Sequence, residues 1–255
     1  MIFLFNLFSY TLTTSDILII LLVGLLSGMS KTGIHGAGML SVPLLAIVFG
    51  GQESSGVMLP ILLLADIIGV WYYHRHASYK HLKNLIPWAT VGIIGGTVVG
   101  KFIDDQAFRL IMASTIVISV FIMLWLKKGS HKEEIPHNKW FAAGTGIVGG
   151  FTSMVGNLAG SVMAVYFLAV RLPKNIFIGT TAWFFLIINW LKVPPHIFSW
   201  HTINVNTALL ALATLPAIII GAVIGISIVR KISEASYRNF ITLMTIVAAI
   251  FMLLK

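Results

Sequence analysis

The sequence predicts an all-α polytopic membrane protein with two inverted repeats, each a re-entrant broken-helix hairpin followed by three transmembrane helices. Of its 255 residues, 58% are hydrophobic and only 10% are charged, which is more apolar surface than one soluble core can bury. The apolar residues form runs separated by short polar loops, and the glycine pattern of the first half recurs in the second. The composition therefore predicts a membrane protein, and the recurring glycines predict that its two halves are repeats.

Charge and cysteine content exclude several classes of protein. The chain has 17 Lys and Arg against 8 Asp and Glu. These basic residues lie in short loops between apolar runs, so we expect them to set membrane topology and not to bind nucleic acid. The absence of cysteine excludes disulfides, thiolate metal sites and cysteine nucleophiles. The N-terminal residues lack a basic region and a small-residue cleavage site, so no cleaved signal peptide is expected.

The first repeat is predicted at 1–126 and begins with a broken helix at about 17–49. Its two apolar runs, 17–29 and 39–49, are each shorter than the roughly 17 residues that a spanning helix needs, and they flank a polar turn rich in glycine. Short, glycine-interrupted segments in corresponding positions of two halves are typical of transporter binding sites. Three spans follow, at about 56–73, 84–100 and 106–126.

The second repeat is predicted at 140–255, after a hydrophilic linker at 127–139. It has its own hairpin at about 140–170. Its three spans are predicted at about 176–191, 205–229 and 237–254.

Two constant offsets relate the halves. A shift of 122 residues superimposes hairpin glycines, and a shift of 129 superimposes a proline and an arginine. The pairs are Gly24 and Gly146, Gly28 and Gly150, Gly38 and Gly160, Pro87 and Pro216, and Arg109 and Arg238. Glycine-rich membrane helices resemble one another in general, but the proline and arginine pairs are not generic bilayer composition. Three spans per half make the second half inverted.

The basic residues orient this arrangement. If each hairpin returns to the side from which it entered, twelve basic residues share the side of the linker and four lie opposite. Those four are Lys101, Arg109, Lys192 and Lys255. Positive residues favour the cytoplasmic side, so we expect a multi-pass protein of a bacterial inner membrane with a cytoplasmic linker and both termini periplasmic. Hairpins that crossed the membrane would weaken this bias.

The turn of the first hairpin has the residues of an anion site. A lysine at membrane depth costs roughly 2.5 to 3.5 kcal/mol, and such a residue usually marks a substrate path. Lys31 is therefore the first candidate for substrate binding. The backbone N–H groups of Thr32, Gly33 and Gly36 can approach an anion closely, and the helix that begins near Gly38 adds a partial positive charge. The alternative is that Lys31 reaches into the lipid headgroups.

The same turn contains His35, which could bind the anion, titrate with a transported proton or bond a backbone carbonyl. The equivalent turn of the second half offers uncharged donors: Thr152, Ser153, Gly156 and Asn157. We predict that Ser153, Gly156 and Asn157 bind the substrate opposite Lys31. Ser, Thr and Asn also join membrane helices to one another, which is the structural alternative.

Asp66 is the only acidic residue well inside a predicted span, and a shift of 123 pairs it with Asn189. An acidic residue at this depth is a candidate for proton coupling, a role that His35 shares. The alternative is a structural ion pair of Asp66 with Lys31 or Arg109.

Together these features resemble the TauE/SafE family of sulfite and organosulfonate exporters over nearly the whole chain. The resemblance depends on the duplicated motif, GLLSGMSKTGIHGAGMLSVPLL at 24–45 and GIVGGFTSMVGNLAGSVMAVYFL at 146–168. The family's proline after each hairpin is present as Pro43 in the first half and replaced by Val165 in the second. The resemblance implies transport of a sulfur oxyanion, whereas the residues themselves indicate only a small anion.

The function predicted is a secondary transporter, an exporter coupled to the proton gradient, that binds sulfite or an organosulfonate at the midplane between the two turns. Its expected partners are this anion and membrane lipid. A homodimer is possible. No cofactor, metal or nucleic acid is expected. The sequence contains neither an HExxH nor a GxSxG motif, either of which would have indicated an enzyme. The alternative is an anion channel or a uniporter-type facilitator for another small anion such as a carboxylate.

Overall fold

The structure is a computed structural model that describes residues 4–34, 37–104, 106–108, 110–111, 114, 117–118, 121, 139–234, 236–237, 239–241 and 243. It begins with an antiparallel β-hairpin of β1 (Leu4–Leu7) and β2 (Tyr10–Thr13). The other regular elements in these ranges are helices. The all-α prediction therefore missed two strands, because four residues are too few to show the alternation that distinguishes a strand.

The helices follow the order that the apolar runs predict. They are α1 (Thr14–Lys31), α2 (Ala37–Phe49), α3 (Gly51–Tyr73) with a 3₁₀ turn at His74–His76, α4 (Tyr79–Val99), α5 (Lys139–Gly156), α6 (Ala159–Ala169), α7 (Lys174–Pro194) with a π-helical turn at Pro195–Ser199, α8 (Val205–Ala213) and α9 (Leu215–Lys231). The predicted linker lies outside the described residues except for Lys139. The predicted spans 106–126 and 237–254 are described only at scattered positions.

Within the described ranges, four helical segments are long and apolar enough to cross a membrane: Thr14–Lys31, Gly51–His76, Tyr79–Val99 and Lys174–Ser199. A fifth would be the pair of α8 and α9, which is bent by 50°. The single span expected at 205–229 is thus two helices that meet at Thr214. Pro216 stands at the start of α9, where its missing N–H costs no helical hydrogen bond.

Both halves contain the expected broken helix. Thr32, Gly33 and Ile34 follow α1 before α2 begins at Ala37, and Asn157 and Leu158 separate α5 from α6. Positive φ angles mark both turns, 123° at Gly33 and 55° at Asn157. However, α1 has 18 residues and is longer than the predicted half-helix, because Thr13 and Asp16 form a capping box ahead of the apolar run.

Glycines allow the first helix of each hairpin to pack closely against a helix of the other half: α1 packs against α9, and α5 packs against α4. A Cβ at Gly28 would lie 2.0 Å from the Ile218 carbonyl oxygen, and one at Gly150 would lie 2.0 Å from the Ala89 carbonyl oxygen. The offset of 122 relates the two glycines, and the offset of 129 relates the two carbonyls. The contact between α1 and α9 therefore recurs, with the halves exchanged, between α5 and α4.

These close contacts lead to a prediction about α4, where Gly92 and Gly95 differ in surroundings. A Cβ at Gly92 would lie 2.0 Å from the Ile147 carbonyl oxygen, whereas one at Gly95 would meet nothing within 4 Å. We expect Gly92→Ala to separate α4 from α5 and to lower the thermal midpoint and the folded yield in detergent. Gly95→Ala is the matched control and should retain both, since alanine favours the helix. Equal behaviour of the two variants in fluorescence-detected gel filtration and thermal melts would contradict the packing.

Candidate functional site

Three charged side chains are buried where the hairpin turns meet α3 and α7. Lys31 ends α1, Asp66 lies in the middle of α3, and Lys192 lies in the last turn of α7. Their exposed fractions are 7%, 0% and 0%. Charged groups at this depth are costly unless they are paired or bind a ligand. This cluster is therefore the candidate functional site.

Asp66 binds two partners. The Lys31 ammonium lies 2.9 Å from Oδ1 of Asp66, and the Asn189 amide donates a hydrogen bond of 2.5 Å to Oδ2. The same ammonium lies 3.9 Å from the centroid of the Phe185 ring. The ion pair weighed for Asp66 in the sequence is thus formed with Lys31, and proton coupling stays a prediction.

Lys192 binds the turn of the second hairpin. Its ammonium donates to the side-chain oxygen of Asn157 at 2.6 Å and to the backbone carbonyl of Ser153 at 3.0 Å. The Asn157 amide in turn donates to the hydroxyl of Ser55 at 3.2 Å and to its carbonyl at 3.3 Å. The second turn is therefore joined to both α7 and α3.

The position of Lys192 corrects the topology drawn from the sequence, which placed this lysine in a loop opposite the linker. The span was predicted at about 176–191, which leaves Lys192 outside it. Instead α7 continues to Pro194, and a π-helical turn carries the chain to Ser199. This extension of the helix encloses the lysine.

Helical spacing explains why α3 and α7 bring these groups together. Residues spaced by three or four positions lie on one face of a helix. Adding 123 to the residue numbers along one face of α3 gives the residues along one face of α7. The equivalent pairs are Met58 and Thr181, Leu62 and Phe185, Asp66 and Asn189, and Gly69 and Lys192. The bond between Asp66 and Asn189 thus joins two equivalent positions.

A cavity lies between the two hairpins, α3 and α7. Its polar lining includes Lys31, Ser153, Asn157, Thr181 and Asn189, and Gly38 and Gly160 border it at the first turns of α2 and α6. The apolar lining consists of Met39, Met58, Leu62, Ala182 and Phe185. A small anion with several oxygen atoms suits a cavity that combines one cation, neutral donors and helix N-termini.

The predicted site residues divide into groups. Lys31, Ser153 and Asn157 line the cavity, and Gly156 borders a smaller neighbouring cavity that Asn157 shares. His35 and Gly36 lie outside the described residues.

Thr32 and Gly33 are not among the described residues that line the cavity. The Thr32 hydroxyl donates to the carbonyls of Gly28 at 2.8 Å and Ala222 at 3.2 Å, and the Gly33 carbonyl accepts a bond of 2.7 Å from Tyr237. Thr152 likewise bonds within its own helix, to Val148. Thr32 and Gly33 therefore hold the first turn against neighbouring helices.

Sequence reasoning did not select Asn189, Lys192, Thr181 or Phe185 as site residues. A signal was present, since Asn189 is the counterpart of Asp66 and Lys192 follows it by three residues on the same helical face. The predicted span at 176–191 excludes Lys192, and this position was therefore assigned to a loop.

Among the described residues, apolar helices of spanning length and a buried cavity lined by Lys31 and neutral polar groups are typical of a polytopic membrane protein that carries small solutes. The chain belongs to the sulfite exporter TauE/SafE family, whose model matches residues 17–252. This match confirms the resemblance drawn from the duplicated motif. Members of the family are exporter-type membrane transporters and not enzymes. Neither a curated protein nor a solved structure matches the chain.

Proposed function

We propose that the protein is a secondary transporter that exports a small sulfur oxyanion, sulfite or an organosulfonate, bound in the cavity between the two hairpin turns. The observation that carries this proposal is Lys31, a buried cation that lines the cavity. An intramembrane lysine that faces a cavity is a substrate-site candidate by default. The family supplies the class of anion, and the cavity supplies a place for it.

The neutral groups around Lys31 also suit an oxyanion. Gly38 and Gly160 lie in the first turns of α2 and α6, whose N–H groups have no partner within the helix. Both helix N-termini therefore place partial positive charge at the cavity, one from each hairpin. Donors on opposite sides are suited to a tetrahedral or pyramidal anion with three or more oxygens.

The mechanism that we propose is alternating exposure of the cavity by two inverted repeats that rock against each other. The exchanged glycine contacts, α1 with α9 and α5 with α4, support a two-fold relation between the halves. The hairpins would be re-entrant, the linker cytoplasmic and both termini periplasmic in a bacterial inner membrane. Asp66 is the group through which export would couple to the proton gradient.

Counterflow in proteoliposomes tests this proposal. We expect vesicles loaded with unlabelled sulfite or sulfonate to accumulate labelled anion transiently, because a carrier must return its site with or without cargo. The matched control is the same vesicle without internal anion, which should accumulate much less. A sustained anion current without stimulation by internal anion would instead indicate a channel or facilitator.

A further inference from the structure

A second buried cation stands beside the anion cavity. The Lys192 side chain has no exposed surface, and in the part of the chain that the structure describes its ammonium has no carboxylate partner within 4.0 Å. Among the described residues, Asp66 is the buried carboxylate of the site, and it forms its ion pair with Lys31. Two lysines and one aspartate leave the cluster with a net charge of +1 when all three are ionised. A buried charge without a counter-ion is costly, and a bound anion offsets that cost.

Lys192 also fixes the orientation of the Asn157 side-chain amide. Its ammonium holds the Asn157 side-chain oxygen at 2.6 Å. That oxygen would repel an anion in the cavity, whereas the amide nitrogen of the same side chain is a donor. Binding the oxygen therefore turns the amide nitrogen of Asn157 toward Ser55, to which it donates, and keeps the oxygen away from an anion in the cavity that Asn157 lines. Lys192 itself is not among the described residues that line the cavity, so it acts through Asn157 and through its charge.

Each half contributes one lysine, but at positions that are not equivalent. The offset of 122 pairs Lys31 with Ser153, and the offset of 123 pairs Lys192 with Gly69. Gly69 is small because the backbone of Lys31 passes it, and a Cβ there would lie 2.6 Å from the Lys31 carbonyl oxygen. The second half has no lysine at its turn and instead has one on α7. The two cations thus approach the cavity from different elements.

We propose that Lys192 is a positioning cation of the anion site and that the resulting charge of +1 selects singly charged anions, such as sulfonates and hydrogensulfite, over doubly charged ones. This inference rests on the proposed function and names its substrate class. A monoanion neutralises the cluster. A dianion leaves one negative charge in excess inside the membrane, where uncompensated charge is most costly. His196 lies one turn beyond Lys192, in the π-helical turn that follows α7, and its ring bonds the Thr202 hydroxyl; it is counted as uncharged in this balance.

Binding of methanesulfonate and sulfate to the purified protein tests the inference. We expect the unaltered protein to bind methanesulfonate more tightly than sulfate at equal ionic strength. Lys192→Met should weaken methanesulfonate binding on the order of tenfold or more, because the cluster becomes neutral. The double variant Lys192→Met/Asp66→Asn should bind methanesulfonate more tightly than Lys192→Met does, since its charge returns to +1, even though Asn157 is no longer held by a lysine. A purely structural lysine would not be rescued by removing a carboxylate. Lys101→Met, at an exposed position, is the control and should bind as the unaltered protein does.

The outcomes separate this inference from the proposed function. Unaltered affinity in Lys192→Met, a folded double variant that does not recover, or a preference of the unaltered protein for sulfate would each overturn the inference. If Lys192→Met does not fold, Asp66→Asn decides, because two lysines without the carboxylate should shift the preference toward sulfate. An unchanged preference in that variant would overturn the inference as well. Failure of the unaltered protein to bind any sulfonate, sulfite or sulfate would count against the proposed function itself.

Discussion

Replacing Lys31 with alanine is expected to reduce anion export in proteoliposomes to the level of empty vesicles. The ammonium of Lys31 is the one charged donor among the described residues that line the cavity. A hydrogen bond to a charged group contributes roughly 1.5 to 3 kcal/mol, which corresponds to about a ten- to hundredfold loss of affinity before the loss of long-range attraction is included. The measurement is the initial rate of efflux of labelled sulfite or sulfonate.

A second variant separates anion binding from ion pairing, because Lys31 also neutralises Asp66. Removing one partner of a buried pair leaves an uncompensated charge, so Lys31→Ala is expected to be less stable as well. Lys31→Met/Asp66→Asn removes both charges and should restore the folded yield without restoring export. Recovery of export in this double variant would show that Lys31 serves only to neutralise Asp66. Lys101→Ala, in an exposed turn, is the control for a generic loss of positive charge.

Asp66→Asn is expected to abolish the dependence of export on an imposed proton gradient. An amide cannot take up a proton, whereas the carboxylate can exchange one as its ion pair with Lys31 opens and closes. Asparagine preserves the shape of the side chain and one acceptor oxygen for Asn189. The measurement is efflux with and without a pH difference across the vesicle membrane, normalised to folded protein.

The matched control for this experiment is Asp104→Asn. Asp104 is exposed and accepts a hydrogen bond from the Ala107 backbone, a capping role that asparagine also fulfils. It should leave the response to the gradient unchanged. If Asp66→Asn vesicles respond to the gradient as fully as the unaltered protein, Asp66 has only a structural role and the proton must bind elsewhere.

The sequence predicted the broken helices because their signals are local. Glycine, lysine and histidine between two apolar runs are visible without knowing any contact, and the first helix ends at Lys31 before the second begins at Ala37, as that pattern predicts. The offset of 123 likewise predicted that Asp66 and Asn189 are equivalent. It did not predict that they touch, because contact depends on how α3 and α7 pack face to face. The roles of Thr32 and Gly33 were equally beyond local reasoning, since their partners Ala222 and Tyr237 are remote in the chain.

By itself, the sequence determined that this is a multi-pass membrane protein and which family it belongs to, and it predicted the two hairpins and the offsets between the repeats. Hydropathy, glycine spacing and motif order can be read from the linear sequence without knowing any contact. Only the tertiary structure decided that Lys31 pairs with Asp66, that Lys192 is enclosed beside Asn157, and that Thr32 and Gly33 bond to Ala222 and Tyr237. The physical reason is that burial and pairing are set by three-dimensional packing: a lysine at the end of an apolar run is a loop residue or a buried cation according to whether the helix continues past it. In α7 it continues, and that extension brings the second cation to the site.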